Sequence, residues 1–544
     1  MDKIKKWQRA ELLIFTILTI INLLPFVATR FFPSMDGASH LANSNIISQL
    51  IFHHNTLFKE FFVLNPEPVP NWTAHLLISL LTLVMPAFLA EKILIILLLA
   101  GTPFAFRNLV GTVSSKGTLY SFLIFPFTHS MFFFFGFFNF CMAVLLFLIT
   151  LNYWLRHQRA PGIKQTLVLT ILVGMTYFSH IVIFGTLLIV IALHIICGSI
   201  LDLRNNSHDR KAILNRFLSR TFAITLAALI PLILFVYFFY SRPEIREIKF
   251  ISRHDLVNIL SSIRPLVSLN PIIEGKLLKV LFYLFVFLVI TGITAFSARL
   301  YRKFSKTNLP NQSPDIPLLP QFNFWWLLSS LLILLALFFT LPDAYGTASY
   351  TSYRIGYVFF LVAILWLSTF RVPWHIGLLA AVMSLYVNTM LIRYYTPSIR
   401  DLGKLATSCN KAAEFVAPNS LVLPLYCMDN WFTGHFVDYL AVDKPVVMVY
   451  NYECSSGYFP VKWNEKTKPN YYLGNPATPE KYINFEIIKG NPVKMLDYVF
   501  IVGQYDANKD WFFGTLDKIL TADFVRVYEA ENCSLYRNKM SIAK

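Results

Sequence analysis

Residues 11–29, ELLIFTILTIINLLPFVAT, follow the basic opening MDKIKKWQRA and run into Arg30-Phe31-Phe32-Pro33-Ser34-Met35-Asp36-Gly37-Ala38-Ser39-His40. Roughly 19 apolar residues at about 1.5 Å each cross a hydrocarbon layer of ~30 Å. A secretory leader has a shorter apolar region ending in a small-x-small cleavage site, which Arg30-Phe31-Phe32-Pro33 is not. The stretch reads as an uncleaved first membrane helix, with its basic amino terminus in the cytoplasm and Asp36 emerging on the opposite face.

Composition extends this outward. Of 544 residues, 56% are apolar, 16% aromatic and only 14% charged, which excludes an ordinary water-soluble enzyme. The 51 Phe, 26 Tyr and 10 Trp exclude intrinsic disorder. The net charge of +17 is read first as topology, because Lys and Arg collect on cytoplasmic loops, and no nucleic-acid partner is expected.

Further apolar segments fall near 73–89, 90–107, 118–135, 137–154, 165–179, 181–200, 220–240, 277–297, 323–341, 354–370 and 374–392. If all crossed, the basic loops at 155–164 and 201–219 would lie outside. Placing 73–89, bracketed by Pro70 and Pro86, along the interface returns the loops 107–117, 155–164, 201–219, 298–322 and 371–373 to the cytoplasm. The expectation is an all-α polytopic membrane protein with about eleven spanning helices over 1–392 and a first external loop at 30–89. A small extracytoplasmic α/β domain is expected over 393–544, from strand-like runs at 421–426, 446–450, 498–502 and 524–528 and helical patterns at 400–416 and 509–520. Cys409, Cys427, Cys454 and Cys533 fall there; two disulfides among four cysteines allow three pairings, and spacing does not choose. No Cys/His spacing marks a zinc site, so no metal ligands are assigned.

Four stretches carry polar residues that need explaining. Asp36 and His40 are i and i+4 on one face of a helix over 36–50, within reach of a common ligand or of each other; an Asp N-cap explains Asp36 equally. The proline-stiffened stretch Asn65-Pro66-Glu67-Pro68-Val69-Pro70-Asn71-Trp72-Thr73-Ala74-His75 holds Glu67, Asn71 and His75 at low entropic cost, as a rigid connector with an interfacial Trp also does. Asn139 sits in the aromatic run Met131 to Phe140, either a groove for an isoprenoid tail or sugar face or a packed hairpin, and His180 is a core or a site histidine. Asp343 precedes Arg354, whose guanidinium at the outer end of a helix suits phosphate or simply snorkels to headgroups. The loop 241–276, with Glu244, Arg246, Glu247, Arg253, His254, Asp255 and Arg264, reads as a solvated amphipathic helix.

A cytoplasmic amino terminus, one helix, an acid just beyond it on a long first loop, many further helices and an external carboxy-terminal domain resemble the GT-C superfamily of membrane glycosyltransferases. The residues that carry the resemblance are the Asp36 segment, the stretch after Pro70, the turn Arg107-Asn108-Leu109-Val110-Gly111, and Arg354. It is most similar to the bacterial branch of protein mannosyltransferase-like and lipid A aminoarabinose transferase-like enzymes. The resemblance implies transfer of a sugar from a polyprenyl-phosphate-linked donor to an extracytoplasmic glycan, lipid or protein acceptor, in a bacterial cytoplasmic (inner) membrane. It makes Asp36 the catalytic carboxylate, with His40 beside it, and Arg354 the ligand of the donor phosphate. Glu67, Asn71, His75, Asn139, His180 and Asp343 are then substrate-binding candidates. Many relatives carry a second acid beside the first; here Gly37 stands there, so a divalent metal is allowed but not required, and the cofactor is open. The readings from other classes are a transporter or lipid flippase, and a non-catalytic membrane protein whose external domain binds partners.

Overall fold

A computed structural model of the chain describes residues 2–115, 117–159, 161–205, 209–242, 247–305, 322–346, 348–370, 372–467, 496–509 and 511–542. Residues 306–321 of the expected basic loop, together with Glu244, Arg246 and Arg371, lie outside them.

Among the described residues eight helices are long and apolar enough to cross a membrane: Arg9–Val27, Ala87–Val113, Phe138–His157, Ile181–Arg204, Arg210–Tyr240, Pro271–Ala298, Phe322–Thr340 and Trp374–Phe415. Shorter apolar helical stretches at Thr118–Phe134, Ile163–Ser179 and Thr351–Leu367 coincide with further expected spans. The segment 73–89 holds only the nine-residue helix Thr73–Leu81, at about 13 Å too short to cross.

Two expectations are corrected. Thr118–Phe134 is a 3-10 turn, Thr118–Ile124, followed by the short helices Phe125–Thr128 and Met131–Phe134, with Pro126 opening the first of these. The residues Arg107 to Gly111, read as a turn, continue the helix Ala87–Val113. There the Arg107 guanidinium donates to the buried Glu11 carboxylate, Nε to Oε1 at 3.1 Å, which a carboxylate in an apolar helix requires. The expected boundary at 392/393 lies within the helix Trp374–Lys411, two residues before the division between compact units at Tyr394/Tyr395.

The chain forms two compact units. The first comprises Met1–Leu23, Leu97–Phe132 and Phe140–Tyr394. Some of its buried polar groups pair between helices: the Asn388 amide donates to Asn22 Oδ1 at 2.7 Å, and Trp326 Nε1 to the Val190 carbonyl at 3.0 Å.

The second unit comprises Leu24–Ile96, Phe133–Asn139 and Tyr395–Lys544. It contains a five-stranded sheet of β1 (Ser420–Cys427), β2 (Val446–Met448), β3 (Tyr498–Gly503), β4 (Phe524–Ala530) and β5 (Cys533–Asn538). The order is β2-β1-β3-β5-β4; β1 runs parallel to β2 and β3, and the last two pairings are antiparallel. Pro424 lies inside the central strand β1, where a missing N–H ordinarily costs a ladder bond. The Val422 carbonyl accepts from Val449 on the β2 side, and by alternation Pro424 faces that same side, where β2 has already ended at Met448. No bond is lost.

Ile46, Ile47 and Leu50 from the helix Gly37–Ile51 bury themselves among Leu421, Leu423 and Val499 of this sheet. The antiparallel pair Phe62–Leu64 with Val461–Trp463 joins the same two parts of the chain. The first loop and the carboxy-terminal sheet therefore share one apolar core, which removes a large apolar area from water. Of the four soluble cysteines, Cys409 and Cys533 have thiols in hydrogen-bonding contact.

Candidate active site

Asp36 is placed by backbone, not by its side chain. Met35 N–H donates to the Phe134 carbonyl at 3.1 Å and Asp36 N–H to that of Phe135 at 3.0 Å, so two successive backbone bonds hold the loop against the turn 133–138. Glycines permit the approach. A Cβ on Gly37 would stand 2.1 Å from Ser34 Oγ, and one on Gly136, whose φ is +78°, 2.7 Å from Gly37 N. Around this contact the rings of Phe32 and Phe133 stack at 4.6 Å and Phe134 meets Tyr395 at 4.4 Å. The aromatic run is thus largely used in packing rather than left as an open groove.

The N-cap reading of Asp36 fails: its side chain makes no capping bond to the helix Gly37–Ile51. The carboxyl is instead buried, 3.7 Å from His435 Nε2 and faced by the Tyr452 hydroxyl. Burial pushes it up to about 8; the Tyr452 hydroxyl works against this, and the nearby carboxylates of Glu453 and Asp438 add to it. Asp438, which accepts from the Ser39 hydroxyl, is raised by burial to about 7, and burial lowers His435 to about 4. Asp438 also borders a small cleft lined by Asn45, Phe58, Phe62 and Asn451.

His40 does share the Asp36 face, yet its partner is Glu453: Nδ1 lies 2.6 Å from Oε1. The second carboxylate oxygen lies 3.0 Å from His75 Nε2. Burial would raise Glu453, but the two imidazoles bring it down to about 2; burial lowers His40. Asn139 is fully engaged. Its amide donates to the Asn71 carbonyl at 2.9 Å and approaches His75 Nδ1 at 3.0 Å, while its oxygen accepts from Ala74 N–H at 2.8 Å, capping the helix Thr73–Leu81 from outside. Asn71 itself sits at φ +69°, which its short polar side chain tolerates. His40, His75 and Glu453 are the residues among those described with the donor types and proximity to hold a metal ion.

The structure thus brings Asp36, His40, His75, Asn71 and Asn139 together, and adds Glu453, His435, Asp438 and Tyr452, which the sequence reading missed. Asn451, whose side chain accepts from Cys454 N–H, is a recognisable cap for the short helix Tyr452–Ser456, but nothing local marks the acid that follows. Glu67 stands apart as a half-exposed ion-pair partner of Lys462 at 3.3 Å.

In the first unit, Arg354 lies with its guanidinium 5.8 Å from the ring centres of Phe132 and Phe140 and donates to the Ser349 carbonyl. His180 is near enough to feel its charge, packs edge-on against Phe140 at 5.3 Å, and accepts from Val182 N–H at 3.2 Å, capping the next helix. Asp343 is a cap too: it accepts from Ser352 N–H at 2.9 Å and Tyr350 N–H at 3.3 Å at the start of Thr351–Leu367, which accounts for it without a substrate.

No family model matches the sequence, and no curated protein matches it. Among solved structures the chain is similar to the crystal structure of ArnT from Cupriavidus metallidurans bound to undecaprenyl phosphate, over 99% of both chains, at 11% identity and a TM-score of 0.46. A likeness at that level carries no argument for function.

Proposed function

We propose that this protein is an integral-membrane glycosyltransferase that moves a sugar from a polyprenyl-phosphate-linked donor to an extracytoplasmic acceptor, with Asp36 as general base. The observation that carries the reading is a buried Asp36 carboxyl relieved of any capping duty and faced by His435 and Tyr452. The scaffold alternative needed Asp36 as a cap, and that role is absent. In the reaction the acceptor hydroxyl gives its proton to Asp36 as its oxygen bonds to the anomeric carbon, and the bond from that carbon to phosphate breaks, its electron pair leaving with polyprenyl phosphate. Arg354 is the proposed ligand of the departing phosphate, as the resemblance to the superfamily implies. Trp431, 62% exposed and 5.5 Å from the ring of Phe135, offers a sugar-stacking face beside the residue that holds the Asp36 backbone.

The test uses the full chain in proteoliposomes with radiolabelled polyprenyl-phosphate hexoses and pentoses and extracted envelope glycolipids as acceptors. Release of polyprenyl phosphate by the wild type and its loss in Asp36→Asn support the reading. Equal turnover by the variant, or consumption of no donor, overturns it.

A further inference from the structure

We propose that His40, His75 and Glu453 form a binding site for one divalent cation of the zinc, cobalt or nickel type. Their ligand atoms lie within 4.8 Å of one another, and all three side chains are buried. Two imidazoles and one carboxylate are a donor set that suits borderline transition ions over calcium or magnesium, and they leave a fourth position open.

Protons decide the case. His75 Nδ1 lies 3.0 Å from the Asn71 carbonyl, which can only accept. A neutral ring that donates there turns a bare lone pair at Nε2 toward the Glu453 carboxylate 3.0 Å away. Two electron pairs in that position need a cation between them. The Gly136 backbone likewise takes a hydrogen bond from the His40 ring. A backbone carbonyl behind a ligating imidazole is the usual arrangement that fixes its tautomer. Asn139 serves the other state: with no ion bound, its amide donates to His75 Nδ1 at 3.0 Å, and Nε2–H donates to Glu453. His75 therefore has a built partner for each tautomer, so the ring accepts an ion by moving one proton rather than by moving the chain. The inference does not rest on the transferase reading, since it concerns occupancy and not turnover.

The test is metal content by mass spectrometry on the full chain purified in detergent without chelator. Chelation and titration with Co²⁺ and Zn²⁺ follow. The expected result is about one equivalent per chain, a visible Co²⁺ absorption band, and a rise in melting temperature of about 5 °C at saturating Zn²⁺. His40→Ala and Glu453→Gln should remove the band. Exposed His254→Ala should change nothing. A wild type with no retained metal, no Co²⁺ band and no thermal shift overturns the proposal, as does Glu453→Gln binding like wild type. If the variants do not fold, the wild-type spectrum and melting shift decide.

Discussion

Nδ1 of His40 lies 2.6 Å from Oε1 of Glu453, 413 positions further along the chain. Because the same carboxylate meets His75, it ties the helices Gly37–Ile51 and Thr73–Leu81 to the short helix Tyr452–Ser456. Removing one member of a buried charged set leaves the others uncompensated, so Glu453→Gln should cost about 3 kcal/mol at neutral pH. The Glu453 carboxyl is lowered to about 2, so its contribution is present above the usual carboxylate range and is lost as pH falls from about 4.5 toward 2. Denaturant unfolding at pH 7 and pH 3 should show the variant and wild type converging in acid; an equal gap at both would contradict this.

Asp36→Asn should lower donor turnover by about 10²- to 10⁴-fold, the usual worth of a general base. Circular dichroism and melting temperature should be unchanged or improved, since the amide removes a buried ionisable group. Loss of the fold in parallel with activity would point to a structural role instead.

The raised carboxyls of Asp36 and Asp438 set opposite trends. In chelator-treated protein, turnover should climb with pH and level off above about 8, because the base must lose its proton. Stability should run the other way: a folded pKa above the unfolded one contributes stability at acid pH that is lost as pH rises through about 7 to 8. Unfolding of Asp36→Asn and Asp438→Asn between pH 5 and 9 should show a flatter slope than wild type.

Gly37→Ala should destabilise by roughly 1–3 kcal/mol, as overpacking does. Its new Cβ meets Ser34 Oγ at 2.1 Å, whereas the Ser34 Cβ and Phe138 atoms remain at an ordinary 3.5 Å. Ser34→Ala in the same chain should recover most of the loss. A double-mutant cycle with no coupling would refute the close approach.

Cys409 and Cys533 should cross-link under mild oxidation, because their thiols touch and Tyr528, bonded to the Ser408 carbonyl at 3.1 Å, packs beside them. Peptide mapping should find that pair alone among the four soluble cysteines; a Cys427–Cys454 bridge would be inconsistent.

Much of the architecture was legible because the bilayer imposes a length and a composition on each crossing. Proline-bounded 73–89 announced its shortness, and four of the five sheet strands appeared as strand-like runs. The misses have local causes. Arg107 to Gly111 looked like a turn because of its glycine and its charge, until Glu11 on another helix supplied the partner. The strand Cys533–Asn538, with Ser, Arg and Asn, has no apolar alternation to betray it.

The candidate site divides the same way. Asp36, His40, His75 and Asn139 stood out in the chain because polar groups among apolar neighbours need a reason. Glu453 did not, since it lies in the polar stretch Asn451 to Ser456, and His435 and Asp438 stand beside apolar residues, Phe436 to Val442, with no spacing that links them to Asp36. Hydropathy and spacing act over a few residues, and they determined the helices, the break after Pro70 and the carboxy-terminal sheet. Which carboxylate faces which imidazole depends on chain segments some four hundred residues apart folding onto one apolar core. Only that packing excludes the water that would otherwise make each of these groups an unremarkable surface charge.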